Sequence, residues 1–514
     1  MTDIQMPQFP SSYWRESVDL PSFPKLDQDI KTDVTIVGGG ITGITAAYLL
    51  SRHQIQVTLL EAGVMLNGTT GHTTAKITAQ HGLIYDEFIN HFGTDQAQLY
   101  YQAAMEAKEM IEKIIEKHQI ECEFERDDAY IFTNSEKYLK KLENEKRAYD
   151  QLGIPSELND SIPLNLPVLA GLKMKDQAQF HPLKYLQTLI QEAVENGLKI
   201  FEHTTATDIK YGKEPVVKTR DGYEVTSKYV IQASHFPFYD GMGFYPTRMY
   251  PERSYIIATK TSEKYPGGMY INAESPTRSI RKVTMGNEDL WLFGGENHKT
   301  GQGEPTYHHY EALQEFATKH FHITAFPYRW SAQDLTTMDK LPYIGPVTSE
   351  QKRVFVATGY RKWGMTNGTI AAKIIHDLIV EKSSPYAKLF TPSRFHAEPS
   401  LKEFMSMNVD VAKHLIQGKL EFINDQIHDL NPDEATITRI NGMRTGVYKD
   451  LDNQLHAVDT TCKHLGCEVQ WNSGDRTWDC PCHGSRYKYT GEVVEGPAKE
   501  PLNKVSIKII IKNE

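Results

Sequence analysis

The sequence predicts an α/β Rossmann-type nucleotide-binding domain that carries an antiparallel β domain, followed by a small all-β domain at the C-terminal end. Three stretches predict it. Residues 33–61 read as apolar strand, Gly-rich turn, helix and second strand; residues 250–296 change to short strands and turns; residues 462–485 hold two arms rich in Cys and His. A chain of 514 residues accommodates about three domains. Hydrophobic residues make up 39% of it, and no apolar run approaches the length of a membrane helix. A net charge of −10 without any block of Lys or Arg argues against nucleic acid or anionic membranes as partners. Residues 1–30 form an N-terminal extension. Met1 to Lys25 hold Trp14, Pro, Ser and several charges but no apolar signal-peptide core, so the expected location is cytoplasmic.

After the extension, Asp33-Val34-Thr35-Ile36-Val37 runs into Gly38-Gly39-Gly40-Ile41-Thr42-Gly43 and then a helical stretch to Arg52. A second strand, Ile55 to Leu60, ends at Glu61. This is the Gly-x-Gly-x-x-Gly dinucleotide fingerprint in the setting it requires. Gly38 makes the tight turn, Gly40 lets backbone approach a pyrophosphate on the helix N-terminus, and Gly43 lets helix and strand pack closely. Glu61 is placed to hold ribose hydroxyls. FAD and NAD share this fingerprint, so the choice rests on a later segment. The apolar strand Arg353–Thr358 ends in Gly359-Tyr360-Arg361-Lys362-Trp363-Gly364-Met365 and leads into a helix, Thr366–Val380. A helix N-terminus there can face a flavin pyrimidine ring and stabilise the charge that builds on reduction.

With both segments, and with Asp339-Lys340-Leu341-Pro342-Tyr343-Ile344-Gly345-Pro346 upstream of the second, residues 30–382 resemble the D-amino-acid oxidase-like flavoproteins. These include D-amino acid dehydrogenases, glycine and sarcosine oxidases and glycerol-3-phosphate dehydrogenases. The resemblance implies a flavoprotein over 31–382. Its FAD-binding parts span about 31–90, 170–240 and 335–382, and a substrate sheet spans about 240–335. It implies FAD clamped by Gly38, Gly40, Gly43 and Glu61 at one end and by Gly359, Lys362, Trp363, Gly364 and Met365 at the other. It also sets the loop Gly68–Lys76, with Thr70 and His72, against the flavin. His72 aligns with the position of a histidyl-flavin bond in the dimethylglycine-dehydrogenase branch. The Trp that precedes that His is Gly71 here, so non-covalent packing is expected. Lys76 either approaches the flavin or lies at the surface.

In the family, a sheet like that of 250–296 carries the substrate over the flavin. Its polar candidates are Arg281, Arg253, Tyr255, His298 and Arg361, with His235 and Tyr250 behind them. Arg281 is the choice for a bidentate grip on a substrate carboxylate, the alternative being a structural ion pair. Arg281, Lys76 and Tyr255 form the expected catalytic set. Elsewhere, residues 94–118 show helical periodicity through Leu99, Ala103, Met110, Ile111, Ile114 and Ile115. Lone Cys122 sits in a strand-like alternation and reads as packing. His181 opens a helix as a structural residue. From Lys199 to Ser234, strands return to the nucleotide domain. Residues 383–428, with an amphipathic run from Leu401 to Leu420, read as an ordered connector, since too few Gly and Ser are present for flexible coil; a tether that lets the C-terminal domain swing is the alternative.

The C-terminal arms are Cys462-Lys463-His464-Leu465-Gly466-Cys467 and Cys480-Pro481-Cys482-His483-Gly484-Ser485, twelve residues apart. Arms of this kind supply two thiolates to one iron and two imidazoles to the other, the ligand set of a Rieske [2Fe-2S] cluster. Cys462, His464, Cys480 and His483 are the ligands; a zinc site is the alternative. Residues 429–514 further resemble the high-potential Rieske proteins of cytochrome bc-type complexes, through Tyr487, Gly496-Pro497-Ala498 and Pro501-Leu502. That resemblance implies a Cys467–Cys482 disulfide and hydrogen bonds from Ser485 and Tyr487 to the cluster sulfurs. A reduction potential of roughly +100 to +300 mV is then expected.

A flavoprotein followed by a Rieske domain looks like a bacterial group of FAD-dependent oxidoreductases. The expected function is a dehydrogenase that oxidises a small amine or amino acid by hydride transfer to flavin and passes electrons through the cluster to an external acceptor, a protein or a quinone. The alternatives are an electron-transfer protein serving a partner enzyme, or a hydroxy-acid or polyol-phosphate dehydrogenase. A Rieske oxygenase would need a mononuclear iron held by two His and a carboxylate, and no His-x-x-x-His with a later acid follows the Rieske segment.

Overall fold

The computed structural model describes residues 5–303, 305–394, 400–420 and 429–507. At its centre lies a six-stranded sheet in the order Tyr343–Pro346, Val354–Thr358, Tyr229–Gln232, Val34–Val37, Val57–Leu60, Lys199–Phe201. All neighbours are parallel except the first pair. Helices cover one face of this sheet and a small β-sheet packs on the other through Ile209, Val217 and Val225, so its inner strands are buried on both faces and their sequences are continuous apolar runs. Helix Ile41–Ser51 packs on helix Gly364–Val380 and is buried nearly all round.

Two glycines make this packing possible. Gly38 has φ +114°, and a Cβ there would lie 2.4 Å from the Ala233 carbonyl oxygen. A Cβ on Gly43 would lie 2.0 Å from the Gly38 oxygen.

The second sheet has nine strands. Its order is Ile323–Thr337, Met249–Thr261, Glu288–Lys299, Arg278–Met285, Met269–Asn272, Glu125–Thr133, Ala170–Gln179, Lys76–Ile77, with Ser156–Asn159 also paired to Ala170–Gln179. The short strands expected at 250–296 are thus part of a larger platform. Ala170–Gln179, which the sequence assigns to the nucleotide-binding half, belongs here as well. It pairs antiparallel with Glu125–Thr133, a long-range contact that local pattern does not reveal. Cys122 is buried but precedes the strand; left-handed residues at Gln119 and Glu123 turn the chain on either side of it. Its carbonyl accepts from the amide of His181, whose Nδ1 in turn accepts from Lys184 at the start of helix Pro182–Glu195.

Helix Thr94–His118 forms as its periodicity predicts. Val216–Thr219 leaves the nucleotide sheet and joins Ala206–Lys210, Glu224–Thr226 and Ile30–Lys31 in a small separate sheet. The C-terminal lobe is all β: Glu434–Ile440, Met443–Lys449 and Leu455–Asp459 form one sheet, and Gln470–Asn472, Thr477–Asp479, Arg486–Lys488 and Val493–Glu495 another. Of the connector, helix Ser400–Leu420 is described, whereas 395–399 and 421–428 lie outside the described residues. No helix among the described residues is long and apolar enough to cross a membrane.

The N-terminal extension is built into the fold. Ser12 Oγ donates to the Gly71 carbonyl and Trp14 Nε1 to that of Thr73, which fixes the loop ahead of Lys76. The carbonyls of Pro7 and Gln8 accept from Arg329 of the large sheet, and Gln8 also accepts from Arg476 of the C-terminal lobe.

Candidate active site and iron-sulfur centre

A cavity of about 880 Å³ opens where the two sheets meet, and the C-terminal lobe closes one side of it. Gly38, Gly40, Glu61, Thr70, His72, Lys76, Tyr255, Lys362, Trp363, Gly364 and Met365 all line it, as do Glu495 to Pro501 of the C-terminal lobe. Gly43, Gly359 and Arg281 lie outside the lining. Gly43 acts one layer below, in the helix–strand contact. Gly359, at φ +79°, turns the chain so that Lys362 to Met365 reach the wall.

The nucleotide end has a cradle shaped for a dinucleotide. Side chains are missing at Gly38, Gly39 and Gly40, and Gly40 is the N-cap of helix Ile41–Ser51, so backbone faces the cavity there. Glu61 accepts from the amides of Gly39 and Gly63, both at 2.8 Å; burial pushes its carboxyl pKa up against those two donors. Thr70 Oγ1 accepts from the Ile41 amide at 3.1 Å. His72 Nδ1 lies 2.9 Å from the Gly68 carbonyl oxygen, and burial lowers its pKa. At the other end, Trp363 stacks on His81 with centroids 4.9 Å apart and starts helix Gly364–Val380. The residues present therefore fit FAD.

Between these ends sits Lys76, buried but still 8% exposed. Its Nζ donates to the Tyr270 carbonyl at 2.9 Å and to Ser279 Oγ at 2.7 Å. Burial, reinforced by the nearby Arg281 charge, brings its pKa down to about 7. Arg281 turns the other way. Its Nη1 donates to the Thr74 and Ala75 carbonyls at 2.6 and 2.8 Å, and its guanidinium sits 5.5 Å from the Trp14 ring. Tyr255 lines the cavity while its hydroxyl lies 2.9 Å from His298 Nε2, within a stack formed with His298 and His309.

Asp334, absent from the sequence-predicted set, lines the cavity near Lys362, and burial pushes its carboxyl up to about 6. Its place in a long strand, in the run Gln333-Asp334-Leu335, carries no local signal of function.

In the C-terminal lobe, the four sequence-predicted ligands converge. Cys462 and Cys480 are free thiols, and the rings of His464 and His483 lie 4.8 Å apart and perpendicular. Nδ1 of both histidines is buried without a hydrogen-bond partner, the condition expected of atoms that ligate a metal. The two neighbouring thiols hold Cys462 below and Cys480 above the ordinary thiol range, while burial brings His464 down to about 3 and His483 to about 4. Neutral imidazoles and a readily formed thiolate are what metal binding requires. Cys467 and Cys482 form a disulfide. The sulfurs of Cys467, Cys480 and Cys482 lie within 4.8 Å of one another, but two of the three are oxidised and offer no thiolate. The Tyr487 hydroxyl is 3.3 Å from Cys462 Sγ and accepts from the Lys463 amide. Ser485 Oγ accepts from the Ala498 amide. The donor set fits a Rieske cluster.

The cluster loops are docked on the flavoprotein half. Gln333 Nε2 donates to the Gly484 carbonyl at 2.9 Å and Gln302 Nε2 to that of Pro481 at 3.0 Å. The His464 ring meets Phe236, a cavity-lining residue, edge-on at 6.0 Å. A buried ion network joins the halves. Arg253 of the large sheet pairs with Glu495 at 2.6 Å and Asp475 at 3.5 Å, and Arg486 pairs with Asp475, Asp479 and Glu495 at 2.7, 3.0 and 2.9 Å.

Residues 33–378 match the family described as FAD dependent oxidoreductase (DAO), and residues 422–506 match the Rieske [2Fe-2S] domain. A protein of Bacillus subtilis (strain 168), named "Putative Rieske 2Fe-2S iron-sulfur protein YhfW", is 50% identical over 498 residues, covering 97% of this chain and 98% of its own. The gamma-glutamylputrescine oxidoreductase of Escherichia coli (strain K12) is 24% identical over 411 residues, 75% of this chain and 93% of its own. Among solved structures, glycine oxidase from Geobacillus kaustophilus has the same fold over 71% of this chain and 99% of its own, with TM-score 0.60 at 18% identity.

Proposed function

Because the chain belongs to the FAD dependent oxidoreductase (DAO) family and carries a Rieske [2Fe-2S] domain, we propose that it is a dehydrogenase of a small amine or amino acid with an internal electron outlet. The observation that carries this reading is a single cavity walled by both halves, with Lys76 inside it and the ring of a cluster ligand, His464, against its Phe236. When bound, FAD supplies a two-electron acceptor for hydride and the Rieske cluster a one-electron carrier. Lys76, held by Ser279 and the Tyr270 carbonyl, takes the proton of a substrate ammonium at Nζ, so that the amine is neutral when its C–H bond is broken. Helix Gly364–Val380 aims its N-terminal amides at the cavity, where they stabilise developing negative charge. The C-terminal lobe closes one side and limits water. Arg281 orients the loop ahead of Lys76 through the Thr74 and Ala75 carbonyls; Tyr255 shapes the wall with His298. The likeness to gamma-glutamylputrescine oxidoreductase supports an amine.

The test is an anaerobic titration with amines, amino acids and glycerol phosphate, following flavin bleaching and the reduced-Rieske EPR signal together. One amine or amino acid that bleaches the flavin and then raises the cluster signal is the expected result. Reduction by dithionite alone would favour an electron-transfer partner, and reduction by glycerol phosphate a polyol-phosphate dehydrogenase.

A further inference from the structure

We propose that Glu495, which belongs to the iron-sulfur lobe, is a binding residue of the flavoprotein cavity. Its free carboxylate oxygen accepts a hydrogen bond from a hydroxyl or ammonium donor held there. This rests on the reading that the cavity holds FAD and an amine.

Glu495 ends the strand Val493–Glu495 and lines the cavity together with His72 and His235 of the other half. Its two oxygens are used unequally. Oε1 accepts from Arg253 Nη2 at 2.6 Å and from Arg486 Nη1 at 2.9 Å. Among the described residues no hydrogen bond reaches Oε2. The side chain keeps 18% of its surface exposed where the residue lines the cavity, and a carboxylate oxygen left there without a protein donor takes one from a ligand or from water. Burial pushes this carboxyl up, but the two arginines outweigh it and bring the pKa down to about 2, so the group is an anion throughout the physiological range.

The position is also rigid. Gly496, next in the chain, has φ +100°, and a Cβ there would lie 2.6 Å from the Gly484 carbonyl oxygen, so the wall segment rests directly on the cluster loop. Arg253 ties the carboxylate to the large sheet at the same time. A rigid anionic acceptor with one oxygen free is built for a donor of fixed position. Two sources offer one: a sugar-alcohol hydroxyl of the dinucleotide and the ammonium of the substrate.

The experiment uses the full-length protein with its cluster and the variants Glu495→Gln, Glu495→Asp and Asp475→Asn. Two dissociation constants are read without turnover: that of FAD, by titration into deflavinated protein followed by flavin fluorescence, and that of butylamine, by perturbation of the bound flavin's absorption. A hydrogen bond to a charged acceptor predicts weakening by about tenfold or more in Glu495→Gln for one of the two probes. The probe affected identifies the donor as cofactor hydroxyl or ammonium. If butylamine does not perturb the flavin, the FAD constant alone decides. Asp475→Asn weakens the same ion network without touching the cavity, and is expected to leave both constants in place.

The reduced-cluster EPR signal reports that the lobe remains folded. Should Glu495→Gln lose it, Glu495→Asp, which keeps the charge and withdraws the oxygen, carries the test. Unchanged constants in the glutamate variants, or an equal change in Asp475→Asn, would overturn the proposal. Because binding is read directly, the result stands whether or not an amine reduces the flavin.

Discussion

Lys76 shows how much one environment can change a residue type. In water a lysine is a cation with a pKa near 10.4; here burial and the neighbouring Arg281 bring it to about 7. The proposed rate of flavin reduction should therefore rise with pH through about 7, as Nζ becomes free to accept a proton. In Lys76→Met that ascending limb should vanish and the rate should drop by about 10²–10⁴-fold, measured by anaerobic stopped-flow. The sign for stability follows from the same shift. Between pH 7 and the ordinary lysine range the unfolded chain binds the proton and the folded chain does not, so this residue makes stability rise with pH there. Below pH 7 both states are protonated and its contribution is flat. A second residue-scale expectation concerns Tyr487, whose hydroxyl lies 3.3 Å from Cys462 Sγ. Removing it in Tyr487→Phe takes away a donor that stabilises the reduced cluster, so the reduction potential should fall in a redox titration followed by EPR.

Among the elements, the strand–turn–helix over 34–51 depends on two glycines, and one of them sets a sharp test. In Gly43→Ala the new Cβ would meet the Gly38 carbonyl at 2.0 Å, where only backbone could move. The helix must then lift from the strand and take the cradle with it. We expect a loss of about 1–3 kcal/mol in stability, read by denaturant unfolding, together with flavin loss on purification. This element was legible because its signal is local: glycine spacing, apolar runs and a terminal Glu61 lie within thirty residues. Helix Thr94–His118 was legible for the same reason, since a 3.6-residue period needs no partner to be read. Ala170–Gln179 was not, because its sheet membership depends on Glu125–Thr133, and neither strand names the other.

For the whole molecule, the ion network between the halves is the decisive contact. Arg253 and Arg486 face Asp475, Asp479 and Glu495 away from water, an arrangement whose net worth is small while intact but whose disruption is costly. Arg253→Ala should leave Arg486 alone to face three buried carboxylates and lower stability by about 3–5 kcal/mol in equilibrium unfolding. It should also loosen the contact between His464 and Phe236, so that cluster reduction lags flavin reduction more than in the unaltered protein.

The sequence by itself determined the nucleotide fingerprint, the two Cys- and His-bearing arms of the Rieske segment, the Cys467–Cys482 pair implied by the family resemblance, and the order of the two halves. Each of these rests on residues close together in the chain, where backbone geometry ties spacing to chemistry. Tertiary structure alone decided that Lys76 and not Arg281 faces the cavity, that residues 7–15 brace the flavin loop and the large sheet, and that Glu495 crosses from one half into the site of the other. Those outcomes depend on which surfaces meet and which charges lose water. Burial and ion pairing between residues hundreds of positions apart set them, and no local pattern encodes either.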